Sequence, residues 1–179
     1  MKNKLLWLLL LGSLSLTAQE INWMSFADAV EAQKNEPRKI MIDAYTTWCG
    51  PCKLLDKNTF QNKDVADYIN NHYYAVKFNA EGNEIVTFKE NTFTNPNFDP
   101  EKRGRNSSHE LTSFFQVRAY PTMLFLDEES NFIGPITGYR TPRQLEIYLK
   151  IFKSDEYKNI TTKEAWEAYS SNFKYEFVE

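Results

Sequence analysis

Two cysteines, Cys49 and Cys52, and two histidines, His72 and His109, are all the thiol and imidazole that 179 residues contain. A fold stapled by disulfides shows several cysteines spread along its chain. A bridge across so short a loop removes little entropy from the unfolded chain, so stapling is a poor explanation for the pair. Zinc is poorly provided for as well: one Cys-x-x-Cys half-site needs two more ligands, the histidines are far apart, and no second half-site exists. Clustered basic charge is also scarce. The formal net charge is −3, and because phosphate backbones demand grouped Lys and Arg, the balance argues against a nucleic-acid partner. There is no internal repeat, and after the first residues no apolar run comes near the roughly 20 residues that span a bilayer.

The first residues have the physical features that export machinery reads. Lys2 and Lys4 give a basic start, Leu5 to Leu11 is apolar, and Ser13 to Ala18 is small and polar. A signal peptide over residues 1–18, cleaved after Ala18, is predicted. The apolar run is too short to span a bilayer, which favours removal over an N-terminal anchor, and no nearby cysteine could carry a lipid. The expected location is exported, periplasmic in a Gram-negative source, with secretion or N-terminal anchoring as the alternatives. No membrane span is expected in the mature chain. Removing 18 of 179 residues leaves 161 and, with Lys2 and Lys4 gone, takes the charge from −3 to −5. That length suits one domain with a full core, and 13 Phe, 10 Tyr and 4 Trp can fill it.

Periodicity then places the elements. Ser25 is predicted to cap a helix to about Asn35, with Phe26, Ala29, Val30 and Gln33 on one face and Asp28 at the capping-box position; Pro37 ends it. Ile40 to Tyr45 is a near-continuous apolar run, as in a central strand buried on both faces, and it leads into Trp48-Cys49-Gly50-Pro51-Cys52-Lys53. From Pro51 onward Leu54, Leu55, Phe60, Val65, Tyr68 and Ile69 keep broadly helical spacing, broken near Asn62. Tyr73 to Asn79 is rich in β-formers. Asn83 to Glu90 reads as weakly helical at best and Asn91 to Ser107 as loop. Ser108 is expected to cap a helix to Val117. Met123–Leu126 and Phe132–Ile136 form a predicted hairpin. Thr141, followed by Pro142 and Gln144, starts a helix to about Phe152, and Thr161 with Glu164 starts a short one. The whole is an α/β sandwich around a mixed sheet.

Where a strand ends and a helix begins at Cys49, unpartnered backbone N–H groups point outward. Their partial positive charge stabilises a thiolate and lowers a cysteine's pKa from about 8.5 toward roughly 7. Pro51 costs no hydrogen bond in a first helical turn, and Gly50 permits close approach by an incoming disulfide. The spacing puts the Cys52 sulfur within reach of Cys49. This is a dithiol suited to exchange: an exposed Cys49 thiolate attacks a client disulfide, and Cys52 resolves the mixed disulfide. Two inert buried cysteines are the bland alternative, and the Trp-flanked Gly-Pro pair is hard to explain that way.

With Asp43, the six-residue cysteine motif, Lys77 and Tyr120-Pro121-Thr122 in these positions, residues 25 to 152 resemble the thioredoxin superfamily. Asn58-Thr59-Phe60 and Asn62-Lys63-Asp64-Val65 are similar to exported reductase modules such as the C-terminal thioredoxin-like domain of the transmembrane disulfide reductase. The resemblance implies a central mixed sheet flanked by helices on both faces. It also implies Cys49 as nucleophile, Cys52 as resolving cysteine and Asp43 as a buried proton carrier, with Lys77 beside it. Pro121 is implied to be a cis-proline facing the dithiol, with Trp48, Gly50, Pro51, Tyr120 and Gly138 around a client groove. Outside the resemblance, Asp43 could be a solvated strand-end carboxylate, Lys77 a lysine snorkelling at a strand end, and Trp48 a core residue.

The resemblance further implies an exported thiol–disulfide oxidoreductase without cofactor or metal, acting as a reductant of client proteins and re-reduced by a membrane electron carrier. An oxidase or isomerase on the same site is one alternative; a client-binding module without turnover is another. The expected domains are residues 19–152, with an insertion at about 81–107, and a helical extension over 153–179 packed on the domain. The basic trio Lys102, Arg103 and Arg105 of the insertion is expected to contribute to partner choice, or else to be solvated surface.

Overall fold

A computed structural model describes residues 20–179; the predicted signal peptide lies outside the described residues. Five strands form one mixed sheet: β1 (Trp23–Met24), β2 (Lys39–Tyr45), β3 (Tyr73–Asn79), β6 (Thr122–Leu126) and β7 (Phe132–Thr137), in the spatial order β1-β3-β2-β6-β7. The strand read from its apolar run, β2, is central. It pairs in parallel with β3 and antiparallel with β6, and six of its seven residues are buried. Alternate residues of a strand face opposite sides. Met41 accordingly joins a core with Leu55, Val65, Ile69, Met123, Phe125, Leu145 and Leu149, while Ile40 and Ile42 join another with Phe26, Val76, Phe78, Leu124 and Leu126.

The first core is covered by α2 (Gly50–Leu55), α3 (Lys63–His72) and α5 (Pro142–Lys153); the second packs α1 (Phe26–Asn35) and α4 (Glu110–Phe114). Local chemistry sets the helix starts. Ser25 Oγ accepts from the Asp28 N–H, Asn62 Oδ1 from Asp64 and Val65, and Thr141 with Gln144 closes a full capping box around Pro142. The break near Asn62 is a five-residue π-helical turn, Asp56–Phe60, between α2 and α3. Among the described residues no helix is long and apolar enough to cross a membrane.

Four readings need correction. Asn83–Glu90 holds no helix: β4 (Val86–Phe88) and β5 (Asn91–Phe93) form a hairpin turned by Lys89 and Glu90, both at positive φ. Val86 and Phe88 are buried in the second core, so this part of the insertion is integral to the fold. The helix after the insertion is capped by His109, not Ser108: the buried imidazole Nδ1 accepts the Leu111 N–H, and the chain leaves helical geometry at Gln116. The last helix, α6 (Lys163–Asn172), is capped by Thr162 rather than Thr161. After it the tail is extended, and its Glu176 and Phe177 amides donate to the buried Glu146 carboxylate of α5. The edge strand β1, two residues long, gave no readable signal.

Candidate active site

At the end of β2 the chain turns through Thr46–Trp48, with the Cys49 N–H donating to the Thr46 carbonyl, and α2 begins. Cys49 is the N-cap: its backbone is extended, and its sulfur accepts the Cys52 N–H at 3.1 Å. Cys49 and Cys52 form a disulfide. A Cβ added at Gly50 would meet nothing within 4 Å; with exposed Pro51, the glycine leaves open surface beside the bridge. The exposed thiolate expected of Cys49 belongs to the reduced form, and the structure holds the oxidised one. Cys49 is not exposed in the disulfide form but 2% accessible, because its sulfur is bonded to Cys52 and turned toward the helix amide.

Asp43 lies in mid β2, 1% exposed, in register with Lys77 on β3. Its Oδ2 accepts from Lys77 Nζ at 2.7 Å, and its buried Oδ1 has no hydrogen-bond partner. Burial pushes the Asp43 carboxyl up to about 6, with the nearby Lys77 ammonium only partly offsetting it. Burial works against the Lys77 charge too, but its attraction to Asp43 and Asp56 prevails and holds its pKa above the ordinary value. Lys77 also pairs with the Asp56 carboxylate and sits over the rings of Trp23, Tyr45 and Phe60. Lys77 and Asp56 line a cleft of about 570 Å³ with Glu20, Ile21, Trp23, Phe60 and Gln61. A buried carboxyl that titrates near neutrality is thus linked through Lys77 to solvent.

On the other flank the Tyr120–Pro121 peptide bond is cis and Pro121 is buried. Gly138, at φ +89°, donates its N–H to the Pro121 carbonyl at 2.8 Å; that backbone region is relaxed only for glycine. Trp48 meets Tyr120 edge-to-face at 6.2 Å between ring centroids. The structure therefore joins Trp48, Cys49, Gly50, Pro51 and Cys52 at one junction, sets the Asp43–Lys77 pair within the sheet, and carries Tyr120, Pro121 and Gly138 on the β6–β7 side.

Two residues, Glu81 and Asp56, escaped the sequence reading, and Arg105 was read there only as one of the insertion's basic trio. Glu81, 9% exposed, accepts the Trp48 indole N–H at 2.8 Å and the Asn106 backbone N–H at 2.8 Å through one oxygen. Arg105 stacks over the Trp48 ring at 4.2 Å. Asp56 shares Lys77 with Asp43. Of Glu81 and Asp56 only Asp56 left a signal, since it follows Cys52 by four residues and helical spacing puts both on one face. Among the described residues no group of three His, Cys, Asp or Glu side chains could hold a metal ion.

Comparison with known proteins agrees with this geometry. A family model described as a thioredoxin-like domain matches residues 26–153. The chain is 24% identical over 130 residues to the thiol:disulfide interchange protein DsbD of Pectobacterium atrosepticum, covering 72% of this chain but only 19% of that protein. It is 23% identical over 115 residues to the disulfide bond reductase DsbH of Chlamydia pneumoniae, covering 64% of this chain and 61% of the relative. The solution structure of a putative disulphide-isomerase from Bacteroides thetaiotaomicron superposes with a TM-score of 0.51 at 28% identity, over 76% of this chain and 93% of that one.

Proposed function

We propose, from the premise that this chain belongs to the thioredoxin-like family of thiol–disulfide oxidoreductases and carries its Cys-x-x-Cys pair, that it reduces protein disulfides outside the cytosol. One observation carries the reading. Cys49 of the Cys49–Cys52 disulfide caps a helix, the preceding Trp48 meets Tyr120 of the cis Tyr120–Pro121 bond, and a buried carboxyl raised to about 6 lies in the adjoining strand.

In the reduced form the Cys49 thiolate, stabilised by the Cys52 N–H and the other free amides of the helix start, is the nucleophile. It attacks one sulfur of a client disulfide; the client S–S bond breaks, a Cys49–client bond forms, and the second client sulfur leaves as a thiolate and takes up a proton. Asp43 accepts the Cys52 proton. The Cys52 thiolate then attacks Cys49 Sγ; the Cys49–client bond breaks, the first client sulfur leaves as a thiolate and takes up a proton, and the Cys49–Cys52 disulfide closes. Two electrons pass to the client. Lys77 tunes Asp43 and links it to the solvent cleft. Trp48, Gly50, Pro51, Tyr120, Pro121 and Gly138 form the surface on which the client backbone lies. A membrane electron carrier returns the dithiol to its reduced state.

Gly-Pro between the cysteines supports the reducing direction by analogy, as does the name disulfide bond reductase borne by the Chlamydia pneumoniae relative. Lys2, Lys4 and the Leu5–Leu11 run support export. The test is the dithiol's reduction potential in a glutathione series. A value near about −270 mV fits a reductant, and one near about −120 mV refutes the direction. Isomerase activity is the second reading, favoured by the putative disulphide-isomerase structure; recovery of a scrambled disulfide protein, with Cys52→Ser retaining activity, would select it.

A further inference from the structure

The insertion between β3 and α4 is far longer than a connection needs, yet it is pinned at many points. Asn95, only 8% exposed, donates to the Gly82 and Ser107 carbonyls and accepts from the Ser107 hydroxyl. Asn106 brackets Asp99, accepting its N–H and donating to its carbonyl. His109, fully buried, bonds the Glu84 carbonyl at 2.7 Å, and its own N–H donates to the Ala80 carbonyl. The last tie runs to Trp48, the residue before Cys49. Glu81 holds the Trp48 indole N–H and the Asn106 backbone N–H on a single carboxylate oxygen.

That tie sets the next residue back, Arg105, on the face of Trp48, the immediate neighbour of Cys49. A guanidinium lying over an indole face keeps N–H donors for a carboxylate, which it matches in two parallel hydrogen bonds. Among the described residues no carboxylate lies within ion-pair distance of Arg105, nor of the neighbouring Lys102, Arg103 and Lys53. Asp99 and Glu101 belong to the same loop, but the Asp99 carboxylate accepts the Glu101 N–H. The chain as a whole is acidic, at −3. An unpaired, held cation beside the redox bridge therefore runs against the global charge.

We infer that Arg105 is a client-specificity residue, held by Glu81 and Trp48 to receive a carboxylate beside the client disulfide, so that the chain prefers protein clients with an acidic residue flanking the cystine. This rests on the exchange function proposed above and names its client class. Arg105 takes no part in the bond changes. Its contribution is to encounter and docking, so the effect is expected in the second-order rate constant and should fade with salt, as for exposed charge pairs.

The probe is a set of three synthetic peptides with one intramolecular disulfide, flanked by Glu, Gln or Lys. The reduced protein is mixed with each, the reaction is quenched with acid, and rate constants are obtained from separated products. Each constant is divided by that of dithiothreitol on the same peptide, which removes the intrinsic effect of the flanking charge on the disulfide. At low ionic strength the Glu peptide should react about threefold faster than the Gln peptide and the Lys peptide slower, with the ratios near unity at high salt. Arg105→Gln should flatten the preference and Arg105→Glu should invert it, each read as the ratio of the Glu-peptide to the Gln-peptide rate within one variant. Equal normalised rates for all three peptides, or a preference unchanged in Arg105→Glu, overturn the inference while leaving the exchange function standing. Failure to reduce any of the three, the Gln peptide included, overturns both.

Discussion

Replacing Asp43 by Asn should make the oxidised chain more stable at neutral pH and leave it nearly unchanged in acid. The carboxyl is 1% exposed, one of its oxygens has no partner, and its pKa is raised from 3.8 to about 6 by burial, against the pull of Lys77. Between those values the unfolded chain has lost its proton while the folded chain keeps it. Stability then falls as pH rises, because the folded state binds more protons. The contribution is fully present below 3.8 and is lost as pH passes through about 6. The gap, at about 1.4 kcal/mol per pH unit, amounts to about 3 kcal/mol in full. About 2 kcal/mol of it develops between roughly pH 4 and 7.5. Asn cannot ionise, so the variant lacks this slope, and Lys77 keeps Asp56 as its partner.

The assay is urea unfolding of both oxidised proteins, so that no thiol titrates, at steps from about pH 4 to 8. Taking the difference cancels every other ionising group. At a urea slope of about 2 kcal/mol/M the variant's midpoint should lead by about 1 M more at pH 7.5 than at pH 4. A difference that stays flat with pH would refute the reasoning. It would mean that Asp43 is already an anion in acid, held by Lys77, and too weak a base to take the Cys52 proton.

Two further predictions concern what holds the site in place. Leu55, fully buried on α2, anchors the cysteine helix in the core; Leu55→Ala should lower stability by about 3 kcal/mol in urea unfolding, and a loss below about 1 kcal/mol would show that the helix is not anchored there. Deleting residues 173–179 strips the Glu176 and Phe177 amides from the buried Glu146 carboxylate and leaves it only Lys150. The truncated chain should lose about 3 kcal/mol, partly recovered by adding Glu146→Leu; a neutral truncation would sink this reading of the tail.

What could be read in the sequence was what local chemistry determines. The β2 apolar run, the Thr141-Pro142-Gln144 cap and the Cys49–Cys52 junction each carry their cause within a few residues. The thioredoxin resemblance supplied Asp43, Lys77 and Pro121, which spacing alone could not have placed. Glu81 and the Glu146 strap were hidden because their partners lie 25 or more residues away, and Arg105 could be read as a basic insertion residue but not as a neighbour of Trp48. The β4–β5 hairpin was hidden for a different reason. Its two-residue turn needs positive φ at both positions, for which Asn-Gly is the readable signal, and the chain spells Lys89-Glu90 at φ 47° and 65°. Burial of Val86 and Phe88 in the second core overrides that local cost. A left-handed conformation costs a non-glycine residue about 1–2 kcal/mol, while glycine returns about 0.5–1 kcal/mol through its freer unfolded chain. Glu90→Gly should therefore stabilise by about 0.5–1 kcal/mol, and Glu90→Ala, which keeps the Cβ, should not. Lys89 is left in place because its ammonium donates to Asn131. If the two variants unfold at the same urea midpoint, the strain is not at this turn, and the missing hairpin signal needs another cause.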